Sequence, residues 1–579
     1  MSASDLTEYV QQLRLDGDAL ADVHVREVVG KVLNLVEVVV VENRRLQEEN
    51  RRLQEEKQRL REIIHQIKGE PPSSAAPRRS PAGDVSSEKE RRQRKSPSDS
   101  SPRTDRRSFR DIRVDEEVIR RVDPARRPPD ATFIGYEDLV VQDLRIQSHN
   151  IRYRLELWDS PSQGRLRGEL PPGVTGEYGP ELKALLVSLK YVAGTSLPRA
   201  HEFVEHCGVV ISRASVSNIV RDAAELFYGE KEEIFRAGLA ATTYQHIDDT
   251  FARVGGELWH THIVCNPFHS TYFTTPHKDR LTILGLLWSR PWTYRFNDLT
   301  QRLLEEFRVP RKWRQLAATA PQDQDLNEAE LEDMLEKWSP SRRLACLDRL
   351  REAAALASYR ARPDHVRILV GDDAKPAKYV SDEFGLCWIH EGRHYKELSP
   401  VVPQHEQQLE AFRTRYWDLY GEFQKYRGGP TPAMAKRLEE EFDRLFATRT
   451  GYEALDKRIA MTGEKKESML TVLAHPETPL NNNPAELGER VAARRRDVSL
   501  HCAKAEGARR MDTLTSIVQT AKKLLVNGYE YLHDRISGIR KMPSLASLIR
   551  QRSRPPPATP PCPFSTAQPP AIIERLTLV

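Results

Sequence analysis

The chain has 579 residues, of which 39% are hydrophobic and 30% charged, with a formal charge of +5 and six cysteines. It is too long for one ordinary domain. Cys207, Cys265, Cys346, Cys387, Cys502 and Cys562 are scattered without a CxxC pair, which argues against a disulfide framework or a tetrathiolate zinc site and fits a reducing cytoplasm. No basic-then-apolar leader opens the sequence, and its most apolar early run, VLNLVEVVVV, is broken by Glu37, so a cytoplasmic protein with no membrane contact is expected.

Residues 1–70 read as helical. Val32, Val39, Leu46, Leu53, Leu60 and Ile67 recur every seventh position and Val36, Asn43, Asn50, Lys57 and Ile64 take the partner seam, which predicts a parallel dimeric coiled coil over 32–67 and hence a homo-oligomer. Residues 71–113 carry 12 Lys+Arg against 6 Asp+Glu among many Ser and Pro and read as a disordered basic linker. Residues 114–180 are mixed, with a strand-like alternation of Ile151, Tyr153, Leu155 and Leu157. Over 181–240 three helical stretches follow, the second ending at Gly208 and the third opening at a Ser212 cap with Ser215, Asn218 and Arg221 on its polar side. This is the layout of a helix-turn-helix, although three-helix bundles without DNA contacts look alike.

Residues 241–500 change period. TYQHID, LWHTHIVCN and STYFTTP are strand-like and separated by Gly255-Gly256 and Asn266-Pro267, which predicts a three-stranded meander with a helix from Arg280. A buried strand, VRILVGDD, is expected at 366–373, with helical insertions at about 300–362 and 404–470. A helical region at 501–550 and a Pro-rich tail at 551–579 complete the chain.

Three acids stand at element ends: Asp248, Asp372 and Glu486. Each has an ordinary explanation, as turn residues for the Asp248-Asp249 and Asp372-Asp373 pairs, and for Glu486 a capping box with Asn483 as N-cap and Pro484 as first helical residue. The set says more than its members. A meander, a helix and a parallel strand ending in Asp make the layout of a ribonuclease-H-like α/β domain, whose strand ends gather carboxylates suited to paired Mg²⁺ ions.

At these residues the sequence resembles the insertion-sequence sixty-six family of bacterial DDE transposases. Asp248-Asp249-Thr250 matches the family's Asp-Glu-Thr motif, with Asp249 in place of Glu. Asp372 followed by Cys387, His390 and Arg393 in CWIHEGRHYKEL matches its second acid and Cys-x-x-His-x-x-Arg motif. Asn482, Asn483, Ala485, Glu486 and Arg490 match its Asn-Asn-x-Ala-Glu motif, and SIVQTAKKLLVNGYEYLHDRISG is similar to its C-terminal signature. The likeness covers roughly 180–540; the Cys-rich zinc segment often found near the family's N-terminus is absent.

The resemblance implies a mainly α protein with an α/β core: a ribonuclease-H-like catalytic domain with helical insertions, preceded by a coiled coil and a helix-turn-helix. It implies DNA strand cleavage and transfer with Asp248, Asp372 and Glu486 holding Mg²⁺ (or Mn²⁺), supported by Thr250, Cys387, His390, Asn482 and Asn483. Terminal inverted repeats and target DNA are the expected partners, with accessory proteins of the same element. Ser215, Asn218, Arg221, Arg393, Arg490, Arg494, Arg495 and Arg496 are the candidate DNA contacts, though a solvated basic helix face reads equally well for the last arginines. Two alternatives stay open: an inactive DNA-binding regulator or element remnant, and a ribonuclease-H-like nuclease without joining activity.

Overall fold

The computed structural model describes residues 30–553, except 43–44, 47, 50, 54–55, 57–113, 124–125, 129, 175, 289–290, 340–344, 374 and 500. The expected basic linker, the tail beyond 553 and the coiled-coil positions from Lys57 onward lie outside the described residues. Residues 46–149 form one unit, and residues 1–45 with 150–579 form another. In the first, the described residues from 114 onward make neither α-helix nor strand, and Phe133, Ile134 and Leu139 stand in solvent. The strand expected from Ile151 begins only at Leu157: β1 (Leu157–Ser160) pairs with β2 (Gly164–Arg167), while Ile151 and Tyr153 are exposed. Alternation alone does not make a strand where no neighbour offers hydrogen bonds.

The larger unit is mainly helical around a mixed five-stranded sheet. Helices α1 (Pro180–Tyr191), α2 (Leu197–His206) and α3 (Arg213–Leu226) close over Leu186, Val204, Ile211 and Val216. Gly208, at φ +83°, ends the α2 turn, and the Ser212 hydroxyl caps α3 by accepting from Ser215 N at 3.0 Å. After α4 (Tyr228–Leu239) come β3 (Tyr244–Val254), β4 (Glu257–Cys265) and β5 (Ser270–Thr275), an antiparallel meander turned at Gly255 and Gly256, both with positive φ. Helix α5 (Arg280–Leu287) follows. Helices α6 (Asp298–Glu306), α7 (Arg311–Ala318), α8 (Glu328–Trp338) and α9 (Ala345–Arg360), with the short pair β6 (Tyr294–Arg295) and β7 (Asp325–Leu326), lead to β8 (Ile368–Gly371) and β9 (Glu383–Leu386). The sheet order is β5-β4-β3-β8-β9, with β3, β8 and β9 parallel.

Helix α10 (Trp388–Lys396) leads into α11 (Pro403–Gly428), α12 (Pro432–Phe446) and α13 (Glu453–Gly463). Their aromatic core surrounds Trp388, and the fully buried Glu391 of α10 is paired with Arg458 and Lys465, so this helical group braces α10. Helix α16 (Asn483–Ser499) crosses one sheet face beside α17 (Ala505–Lys523), and α18 (Gly528–Ile536) and α19 (Leu545–Arg552) join α1, α3 and α4 in a second core; the one-turn helices α14 (Lys466–Met469) and α15 (Thr471–Ala474) precede α16.

Strand β5 is an edge whose free N–H groups alternate along the chain. Ser270 N, Tyr272 N and Thr274 N donate to Thr520 Oγ1 (3.2 Å), Ser516 Oγ (3.0 Å) and Asp512 Oδ2 (2.7 Å). Two strand residues advance roughly 6.7 Å and four helix residues roughly 6.0 Å. Side chains at a spacing of four along α17 therefore meet donors at a spacing of two along β5.

The helix over residues 30–42 packs on the α10–α13 group. Glu37, 3% exposed, accepts from Val401 N (2.6 Å), Val402 N (3.0 Å) and His405 Nδ1 (3.0 Å), supplying a cap that α11 lacks of its own. Asn34 Oδ1 likewise accepts from Glu453 N at 2.9 Å at the start of α13. Leu33, Glu37 and Val40 face inward, and the seam positions Val32, Val39, Leu46 and Leu53 are about half exposed. Glu37→Ala, which strands three buried donors, should cost about 3 kcal/mol in chemical denaturation. Val39→Ala should cost well under 1 kcal/mol by the same measurement, as an exposed substitution.

Candidate active site

Three elements deliver the three acids to the place where β8 ends beside β3; Asp248, expected at a strand end or in a turn, lies inside β3, which pairs on with β4 as far as Val254. Strand β3 runs parallel to β8 with Tyr244 opposite Ile368 and His246 opposite Val370, and continuing that register two residues sets Asp248 beside Asp372. Alternation puts His246, Asp248 and Thr250 on the face covered by α16 and sends Asp249 to the other. There Asp249 meets Lys278 Nζ at 3.2 Å, so the two adjacent acids do different work. Asp373 is likewise diverted, to Lys465 Nζ at 2.7 Å.

The expected capping box at Glu486 is not formed. Helix α16 begins at Asn483, one residue early, and Asn482 O accepts from Glu486 N at 3.1 Å. Asn482 is committed elsewhere: its Nδ2 donates to Ile247 O (3.0 Å), and its Oδ1 faces His246 Nδ1 at 3.1 Å. Burial lowers the His246 pKa to about 3, so the ring is neutral and Nδ1 is its donor. This fully buried pair pins the start of α16 to β3. Asn483 is exposed, and its backbone N donates to Asn481 Oδ1 at 3.2 Å. The Glu486 carboxylate instead accepts two bonds from Arg393 Nη2, at 3.1 and 3.0 Å.

Cys387 caps α10 through sulfur, accepting from His390 N (3.4 Å) and Asn482 N (3.3 Å). His390 Nδ1 sits 2.8 Å from Asp372 Oδ2, and that carboxylate holds the imidazole pKa above its ordinary value. Cys387, His390, Asn482 and Arg393 thus brace the acids from α10 and the loop before α16, while Thr250 accepts from Arg496 Nη1 at 3.1 Å.

Asp372, Cys387 and Glu486 bring one ligand atom each within 4.8 Å of one another. Burial pushes the Cys387 thiol up to about 12, and it already accepts two N–H groups, so it is a poor ligand for a hard cation. The oxygens fit better. Asp372 Oδ1 is buried without a hydrogen-bond partner, and the Asp248 pKa is raised to about 8 by burial, then by Asp372, then by Glu489. Glu486 has Arg393 and Asp372 has His390, but Asp248 has no ion-pair partner among the described residues, and a divalent cation would supply one.

Glu489 is the residue the sequence reading missed. It lies three residues beyond Glu486 on the same side of α16, a spacing visible in PAELGER. Between them Gly488 lets α16 close on the sheet: a Cβ there would lie 2.9 Å from Ile263 Cγ2 and 3.2 Å from Tyr272 Oη. Gly488→Ala should cost about 1–3 kcal/mol in a denaturant melt by overpacking.

The expected arginine contacts divide. Arg490 and Arg494 are exposed, but Arg393 is taken by Glu486, Arg496 stacks 3.9 Å from the Phe251 ring, and Arg495 donates to Tyr191 O at 3.2 Å. The last two do not form a solvated basic face, because α16 buries that side against β3 and α1. On α3, Asn218 and Arg221 are exposed, Arg221 beside Asp222, and Ser215 is half-buried.

The model of the transposase IS66 family matches residues 175–281, which hold the α1–α3 bundle and the Asp248 meander. An uncharacterized protein, y4jO of Sinorhizobium fredii (strain NBRC 101917 / NGR234), is 30% identical over 312 residues, 52% of this chain and 94% of that protein. The chain belongs to the IS66 transposase family. No solved structure matches it. Membership gives this IS66 protein a transposase role with DNA as partner. None of its described helices is long and apolar enough to cross a membrane.

Proposed function

We propose that this IS66 transposase cuts and joins DNA strands at a divalent-metal site formed by Asp248, Asp372 and Glu486. The observation that carries the reading is the approach of Asp372 and Glu486 to within 4.8 Å, with Asp248 beside Asp372 in the β3–β8 register and its pKa raised by burial and then by Asp372. The sheet order β5-β4-β3-β8-β9, with its antiparallel meander and parallel β8 and β9, supports a ribonuclease-H-like catalytic domain. Mg²⁺ or Mn²⁺ held by the three carboxylates would lower the pKa of an attacking water and stabilise the leaving oxygen.

The chain's own residues supply preorganisation. Arg393 fixes the Glu486 carboxylate, His390 sits against Asp372, and Asn482 ties α16 to β3, so the acids reach DNA already oriented. Helices α2 and α3, with exposed Asn218 and Arg221, serve as the DNA-reading pair, and the half-exposed seam residues Val32, Val39, Leu46 and Leu53 pair two copies. The test uses duplexes carrying the DNA that flanks the gene. Mg²⁺-dependent nicking followed by joining to a target supports the reading, nicking without joining would reduce it to a nuclease, and binding without nicking would favour a regulator.

A further inference from the structure

The junction between α1 and α16 holds two cations beside a pocket with no carboxylate in its lining. Lys190, in the last turn of α1, and Arg495 of α16 line it together with Thr195 and Ser499. Arg495 spends Nη2 on Tyr191 O, and its Nη1 is buried without a hydrogen-bond partner. The Lys190 ammonium has the Tyr191 ring at 5.8 Å and no ion-pair partner among the described residues. Asp512, the carboxylate that acts on Arg495, accepts from Thr274 N and Oγ1 at 2.7 and 2.9 Å and lies outside the lining. Burial, and then Arg495, depress the Lys190 pKa. Two like charges sharing a partly dry pocket are unfavourable unless an anion joins them.

We propose that this pocket seats one phosphate of the DNA backbone, with Lys190 and Arg495 Nη1 donating to a non-bridging oxygen and the Thr195 and Ser499 hydroxyls beside it. The volume of about 10 Å³ admits one oxygen-sized atom. A phosphodiester fits that limit, since it inserts one oxygen and keeps its ester links outside. The inference rests on the DNA-cutting reading and extends it: Arg495 stands nine residues, about two and a half turns, beyond Glu486, which places the pocket roughly 14 Å along α16 and on the side away from that acid.

The test uses the full chain in EDTA with a 30-base-pair random duplex, measuring affinity against salt for wild type, Lys190→Met and Thr195→Val. The expected result is a logarithmic salt slope smaller by about 0.9 for Lys190→Met, weaker binding with an unchanged slope for Thr195→Val, and unimpaired melting of both. A second arm compares melts in inorganic phosphate and in chloride at matched ionic strength. A phosphate stabilisation of wild type that Lys190→Met abolishes, with the DNA slope unchanged, would assign the pocket to free phosphate and overturn the backbone assignment. No change in either arm would overturn the pocket altogether. Asp248→Asn should keep the wild-type slope, so failure here is distinguishable from failure of the cleavage reading.

Discussion

Asp248→Asn should abolish strand cleavage while making the metal-free protein more stable at alkaline pH. The folded-state pKa of Asp248 is raised from 3.8 to about 8, first by burial and then by Asp372 and Glu489. A carboxyl raised in this sense contributes stability fully below its unfolded pKa, and that contribution is lost as pH climbs through the folded value. Metal-free wild type should therefore lose a few kcal/mol between about pH 4 and 8, at ~1.4 kcal/mol per pKa unit. The Asn variant has no such loss. Thermal melts in EDTA at pH 5 and pH 9 should show the variant gaining on wild type only at the higher pH. Mg²⁺ should restore wild type and leave the variant unmoved, because binding to the folded state alone raises its stability. A pH-independent difference would mean that Asp248 is not crowded by its neighbours.

Glu486→Gln provides the second large effect. In a capping box the amide would keep the backbone bond and the change would be small. Here the carboxylate faces Arg393 and Asp372, so loss of its charge should stop cleavage and leave an intact melting transition. Glu489→Gln should act more weakly, in the 10–100-fold range of groups that support a metal site. It should also lower the pKa of Asp248, moving the metal-free stability loss to lower pH. Cleavage rates and melts on both variants decide this, and a wild-type rate for Glu486→Gln would remove it from the site.

The sheet was legible because its signals are local. The period of two, the Gly255-Gly256 turn and the apolar run before Asp372 locate β3, β4, β5 and β8 without knowledge of the rest of the fold. The failures are cases where a distant partner decides. Any of three consecutive asparagines can cap a helix, and His246 with Ile247 O selects Asn482, two hundred and more residues away in sequence. Glu37 reads as a flaw in an apolar run until Val401 and Val402 are known to need its oxygens. Ile151 and Tyr153 alternate correctly but meet no neighbouring strand. Charge in RRR pointed outward by composition, yet packing against Tyr191 and Phe251 turns Arg495 and Arg496 inward.

The match between α17 and β5 bears on how a copy of this gene decays. A frameshift just before Ala505 spares every codon for Asp248, Asp372 and Glu486, so the product would still carry all three acids proposed to cut DNA. It would lack Asp512, Ser516 and Thr520, and with them the acceptors for Ser270, Tyr272 and Thr274 N–H. An uncovered strand edge recruits other strands. Such a remnant is expected to fail first by clumping at that uncovered edge, with its three acids still in place.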